Sequence, residues 1–262
     1  FIIKGLDMGL LAGKKALILG VANEKSIAWG ITRALKEQGA RVGLTYLNDQ
    51  LKKRVDPLSV ECGADFTHQM DVTVDNHYTS LHEKVKKEWG NFDILVHSLA
   101  FANREDLRCD FSDTSREGFK LACDISAFSL IGLCHHLKDL MSENGSVISM
   151  TYYGSTKVLD GYNVMGVAKA ALEASNRYLA FDLGKKGIRV NTISAGPIRT
   201  LAASGVKSIK KAFEVIEENS PLRRNVTTED VGGTAVYLAS DLSSGVSGQV
   251  LFVDSGISTV AM

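Results

Sequence analysis

Short apolar, β-rich runs alternate with longer stretches of helical periodicity along most of the chain. The strand-like runs are 16–20, 42–46, 66–70, 94–98, 147–149, 190–193 and 250–253. Several lack a polar face, as expected of a parallel strand covered on both sides. Helical periodicity fills the intervals over 27–37, 51–61, 74–88, 117–141, 163–183 and 229–239. Gly39, Gly90, Gly145 and Gly187 fall near helix ends or in the following loops, where a positive φ is often required. Unbroken β-α alternation with right-handed crossovers predicts an α/β fold. The expectation is one Rossmann-like, doubly wound parallel sheet of about seven strands in the order 3-2-1-4-5-6-7. With no internal linker or repeat, residues 8–262 read as a single domain, and the seven residues before Met8 read as an upstream or added extension.

Composition narrows the class. Thirty Lys and Arg balance thirty Asp and Glu, for a net charge of zero, which argues against a protein whose task is to grip nucleic acid. Cys62, Cys109, Cys123 and Cys134 are scattered without a C-x-x-C pair or zinc-ligand spacing. They read as free thiols of a cytoplasmic protein, and no metal site is expected. The best uninterrupted apolar run, 16–22, has seven residues, far short of the roughly 18 needed to span a bilayer, so no membrane is expected.

In a doubly wound sheet the ligand lies beyond the carboxyl ends of the strands, at the switch point beside the first strand. There the chain reads Gly20-Val21-Ala22-Asn23-Glu24-Lys25-Ser26-Ile27-Ala28-Trp29-Gly30. The full G-x-G-x-x-G signature is absent. The segment can bring backbone N–H groups and a helix start, with Ser26 near the N-cap, to a pyrophosphate, or it is simply a capped helix after a strand. After the second strand, Leu47 stands where an acidic residue would receive an NAD ribose hydroxyl. Lys52, Lys53 and Arg54 follow; they suit a 2′-phosphate or a solvated helix face, which leaves cofactor choice open on these residues. Asp71-Val72 follows the third strand and can read an adenine amino group, cap the next helix, or both.

The most informative stretch follows the fifth strand. Tyr162 and Lys169 are seven residues apart, about 20° short of two full turns, so they share one helix face. A buried lysine can hold a nicotinamide ribose and favour negative charge nearby. A tyrosine in the same cleft can donate its phenolic proton to an oxygen that gains charge.

Here the chain resembles the short-chain dehydrogenase/reductase superfamily, which carries Tyr-x-x-x-Lys on this helix. The residue four before Lys169 is Met165, however, and the tyrosine lies back at Tyr162, with Tyr152 ten residues earlier. That arrangement resembles the bacterial enoyl-acyl carrier protein reductases of type II fatty-acid synthesis. The resemblance extends over 8–262 and rests on Gly20-Val21-Ala22 with Ser26-Ile27-Ala28, Val96-His97-Ser98, Tyr162-Asn163-Val164-Met165-Gly166, and Ser194-Ala195-Gly196-Pro197-Ile198-Arg199-Thr200-Leu201-Ala202. The displaced tyrosine has a chemical reading. A carbonyl reductase needs its acid beside the carbon that receives hydride, whereas reduction at the β-carbon of an enoyl thioester puts charge on an oxygen three bonds away. Moving the tyrosine back about one turn, roughly 5.4 Å, makes room for the longer conjugated unit.

The resemblance implies roles. Tyr162 hydrogen-bonds the thioester oxygen, Lys169 holds the ribose, and Tyr152 is a second active-site tyrosine, although sequence alone leaves open whether Tyr152 or Tyr153 points inward. Cofactor contacts fall to Gly20, Ser26, Ile27, Leu47, Asp71, Val72, Leu99, Lys169, Ile198, Arg199, Thr200, Leu201 and Ala202. Ala102, Tyr152, Tyr162, Met165 and Phe213 line the substrate site. The segment 195–220 covers the acyl chain, with Lys207, Lys210 and Lys211 on its polar side as one option for meeting an acidic acyl carrier protein. NADH is the favoured cofactor, with NADPH retained. The carrier protein bearing the enoyl group is the partner, and a homotetramer through 117–141 and 163–183 is expected. Two rivals remain: a carbonyl reductase of the superfamily, disfavoured by Met165, and a non-catalytic nucleotide-binding relative.

Overall fold

The computed structural model describes residues 9–200 and 209–261, with the backbone alone at 209 and 210. Seven parallel strands form one sheet in the expected order: β1 Lys15–Leu19, β2 Arg41–Tyr46, β3 Phe66–Gln69, β4 Phe92–His97, β5 Met141–Thr151, β6 Arg189–Ala195 and β7 Val250–Val253. Side-chain alternation feeds two cores. From β1, Ala16 and Ile18 pack with α1 (Ile27–Glu37), α2 (Asp49–Glu61) and α9 (Thr228–Ala239) on one face. Leu17 and Leu19 pack on the other with α3 (Asp75–Trp89), α6 (Ser129–Leu137) and α7 (Asn163–Leu183). All four β1 residues are wholly buried, each worth roughly 1.5–3 kcal/mol except the smaller Ala16.

Two local expectations need correction. The helix placed over 117–141 is instead α5 (Arg116–Cys123), a π turn over Asp124–Phe128, and α6, which stops at Leu137. Leu137, Leu140 and Met141 share helical spacing, but Phe92 N–H donates to the Leu140 carbonyl and Met141 pairs with Phe92, so the tertiary ladder outweighs the local pattern. For the same reason Gly145 lies inside β5, without a positive φ, while Gly39, Gly90 and Gly187 do adopt one. The short helix α4 (Arg104–Arg108) lacked a sequence signal, and α8 (Ile209–Asn219) lies within the 195–220 stretch expected to cover the acyl chain. The helical run Arg116–Leu137 is long and apolar enough to cross a membrane by length and composition alone, and half of its most apolar 18-residue window is buried inside the protein.

Candidate active site

The ends of β1 and β4 meet in a cradle that only glycine permits. Gly20 has φ +103°, and a Cβ there would lie 2.1 Å from the Ser98 carbonyl oxygen. The Ser98 N–H donates to the Leu19 carbonyl, locking the two loops together. Ser26 sits at the N-cap of α1, yet its hydroxyl turns backwards. It accepts from the Ala22 and Asn23 N–H groups and donates to the Asn23 carbonyl. The Trp29 and Gly30 N–H groups donate to the Ser26 carbonyl, and the Ser26 side chain caps none of the first N–H groups of α1. Gly30 does different work. A Cβ there would lie 2.4 Å from the Thr228 side chain, so this glycine lets α1 and α9 approach closely.

Across the cleft, Lys169 is 4% exposed, and its ammonium donates to the Met150 carbonyl at 2.7 Å and the Leu99 carbonyl at 3.2 Å. It thus ties α7 to the ends of both β4 and β5. Burial lowers its pKa from the ordinary 10.5 to about 8, partly opposed by the Glu173 carboxylate. Tyr162 immediately precedes α7, and the kink that presents its ring is visible in Asn163, which has φ +34° and donates from its amide to the Cys109 carbonyl. The Tyr162 ring lies against Gly154, where a Cβ would come within 2.4 Å of Cδ1. The rings of Tyr152 and Tyr162 meet edge to face at 5.0 Å, while Tyr153 turns away against Phe252. Tyr152 is therefore the inward-facing ring of the two. Desolvation raises the phenol pKa of Tyr152 to about 12 and that of the more deeply buried Tyr162 further still. Both phenols keep their protons at neutral pH.

A family model described as "Enoyl-(Acyl carrier protein) reductase" matches residues 20–258. "Enoyl-[acyl-carrier-protein] reductase [NADH] 1" of Rhizobium meliloti is 51% identical over 258 residues, covering 97% of this chain and 93% of its own. The chain belongs to the enoyl-acyl carrier protein reductase family. A Nostoc reductase described in the same way, as [NADH], is 51% identical over 96% of this chain and 99% of its own. Among solved structures, the Anaplasma phagocytophilum family member in complex with NAD has a TM-score of 0.94 at 47% identity, covering 97% of both chains. The Bacillus cereus reductase with NADP+ and indole naphthyridinone has a TM-score of 0.95 at 49% identity, covering 97% of this chain and 100% of its own.

Among the described residues, the others implied by the family resemblance follow the strands β2, β3, β4 and β6 or lie on α7 and α8. Leu47 follows β2 and is 42% exposed; Asn48, beside it, caps α2. Lys52 leans over the Tyr46 ring, and Lys52, Lys53 and Arg54 are all solvent-exposed. Asp71 accepts from the Thr73 N–H and hydroxyl, making a turn of its own rather than capping α3, whose N-cap is Val74. Its own N–H donates to His77 Nδ1, and Val72 is buried. Ala102 packs beside Ala122, Val164 and Ala168. Met165 is buried, with the Ser126 hydroxyl 3.8 Å from its sulfur. That hydroxyl also bonds Phe101, so the π turn shapes this wall. Ile198 is buried, Thr200 is half-buried, and the Arg199 guanidinium stacks 4.8 Å from the ring of buried Phe213. Leu201, Ala202 and Lys207 lie outside the described residues, as does the side chain of Lys210; Lys211 is exposed on α8.

A nicotinamide dinucleotide fits these residues, because Gly20 lets the loop after β1 pack tightly on Ser98 at the carboxyl edge of the sheet, and Lys169 offers a buried cation at the ends of β4 and β5. Sequence reasoning passed over Glu173, which is 7% exposed and accepts a 2.7 Å hydrogen bond from the Thr151 hydroxyl. Its position four residues after Lys169 was the available signal. His97 was noticed only as part of a motif. It is wholly buried, with Nε2 2.7 Å from the Ser129 hydroxyl, and desolvation lowers its pKa to about 3.

Proposed function

We propose that this chain reduces the trans-2 double bond of enoyl-acyl carrier protein thioesters, the closing step of each elongation cycle in type II fatty-acid synthesis. The observation that carries the reading is the Tyr152–Tyr162 ring pair beside the family's buried lysine, with Met165 where a carbonyl reductase keeps its tyrosine. The Gly20–Ser26 loop and Ile27 would hold the cofactor pyrophosphate, and Leu47, Asp71 and Val72 its adenosine. Lys169 would hold the ribose, and Leu99 with 198–202 the nicotinamide. When bound, the reduced nicotinamide supplies hydride for the substrate β-carbon.

The chain's own residues do the rest. Tyr162, held protonated by burial, donates a hydrogen bond to the thioester oxygen and strengthens it as that oxygen takes on enolate charge. Tyr152 packs edge-on against Tyr162 and limits its swing. The Lys169 ammonium adds a favourable field. Ala102, Met165 and Phe213 supply an apolar wall for the acyl chain and exclude water.

NADH is the proposed cofactor, supported by the [NADH] descriptions of relatives about half identical to this chain. NADPH is the competitor to test, since the Bacillus cereus relative is described with NADP+. A homotetramer is also proposed, supported by the exposed apolar residues of α5 to α7. Phe119, Phe128, Ile131, Tyr178 and Phe181 are exposed on α5 to α7, while Phe252 is exposed on the edge strand β7. Absorbance of the reduced nicotinamide, followed with crotonyl and longer enoyl thioesters and each cofactor, tests the activity. Consumption that depends on the enoyl thioester supports it; consumption with simple ketones alone would return the carbonyl-reductase reading. Light scattering at micromolar protein should give four chains per particle, and a stable monomer would refute the assembly.

A further inference from the structure

We propose that Glu173 is a positioning residue of this site, one that grips β5 beside the Lys169 contact and keeps Lys169 in its charged, ribose-binding form. The inference rests on the reading above, since it concerns how that lysine serves the cofactor. Lys169 and Glu173 stand four residues apart on α7 and so share a face. They hold consecutive residues of β5: Lys169 donates to the Met150 carbonyl at 2.7 Å, and the Thr151 hydroxyl donates to Glu173 Oε1 at 2.7 Å. The next residue in the chain is Tyr152, whose ring rests on Tyr162. One carboxylate therefore fixes the strand end that carries a site tyrosine and places negative charge one helical turn from a buried ammonium.

Among the described residues, the neighbouring elements supply no substitute for that charge. His97 on β4 is held neutral by burial, and Tyr152 and Tyr162 are held protonated. Asp124, on the π turn packed against α7, interacts with Asp75 and Tyr78 of α3. Cys123 beside it has its thiol pKa raised by burial. Asp106 of α4 turns to the Ser115 N–H, Arg189 of β6 to carbonyls at the end of α9, and Tyr153 to Phe252. Glu173 is the carboxylate whose charge offsets the burial of Lys169. A carboxylate kept only to hold Thr151 would serve equally well as a neutral amide, and that difference can be measured.

The experiment is NADH binding by fluorescence titration of the full-length protein across the neutral to alkaline range. The wild type should bind more weakly above about pH 8, as Lys169 loses its proton. Glu173→Gln retains an acceptor for Thr151 and removes the charge. Its affinity should match wild type near pH 6 and be about tenfold weaker near pH 9, the consequence of moving the alkaline limb down by about one pH unit. Thr151→Val retains the charge and removes the bond, so its limb should stay at the wild-type position. Glu173→Asp should restore most of the limb. Coincident limbs for wild type and Glu173→Gln would overturn the proposal. So would a Thr151→Val limb displaced by about one pH unit, a result readable even if Glu173→Gln fails to fold. A wild type that binds neither NADH nor NADPH would instead sink the function on which the inference stands.

Discussion

Replacing Lys169 by Met removes an ammonium that is 4% exposed and leaves an apolar chain of similar reach. In the folded protein this lysine titrates near 8 against an ordinary 10.5, because burial penalises its charge. Between those values the unfolded chain holds a proton that the folded chain has already released, so stability rises with pH. Carried from about pH 7 to about pH 9, that linkage contributes about 1 kcal/mol to the wild type and nothing to Lys169→Met. Cofactor affinity should move the opposite way over the same window, because the charged form is the one that holds the ribose. Urea unfolding of both cofactor-free proteins, at matched concentration and several pH values, reads the first effect, and NADH titration reads the second. Stability curves that run parallel for wild type and Lys169→Met would refute the buried, depressed lysine. An alkaline gain in wild-type stability without a loss of NADH affinity would refute its role at the ribose.

Other substitutions divide the labour of the site. Tyr162→Phe should lower kcat on the order of 10²-fold with near-normal NADH affinity, while Lys169→Ala should abolish NADH binding. Equal loss of affinity in both would contradict the division. Because both site phenols keep their protons well above neutrality, Tyr162→Phe should also retain the wild-type alkaline limb of NADH binding; a displaced limb would assign that titration to the tyrosine. Gly20→Ala must carry a side chain at φ +103° into the Ser98 carbonyl. It should cost roughly 2–4 kcal/mol of stability and most of the NADH affinity, and calorimetry with titration would show a tolerated substitution if the cradle is misread.

The sheet was legible because short continuous apolar runs, buried on both faces, leave few alternatives. Val42 and Leu44 on β2 and Leu95 and Val96 on β4 are wholly buried, and crossover chirality then dictates strand order. Lys169 on α7 was legible from helical periodicity, whereas Tyr162 stands at the N-cap and Asn163 has φ +34°, so the placement of its ring depends on that kink rather than on helical angle. Non-local contacts were not legible. The pairing of Phe92 with Met141 converts a helical pattern into strand, and the π turn that carries Ser126 to Phe101 leaves no local signature. Ser26 was placed correctly at the start of α1, but the backward turn of its hydroxyl depends on the geometry of 22–26. Glu173 was missed because a single glutamate on a long helix reads as solvated surface until Thr151 is brought against it.

The reaction proposed for this site delivers hydride to the β-carbon of an enoyl thioester while Tyr162 supports charge on its carbonyl oxygen. Turnover of crotonyl thioester with nicotinamide-deuterated NADH, followed by NMR of the saturated product, tests it most directly. The product should carry deuterium at the β-carbon, a solvent proton at the α-carbon and an intact thioester. Deuterium at the α-carbon or on a reduced carbonyl carbon, or recovery of unreacted enoyl thioester alone, would contradict it.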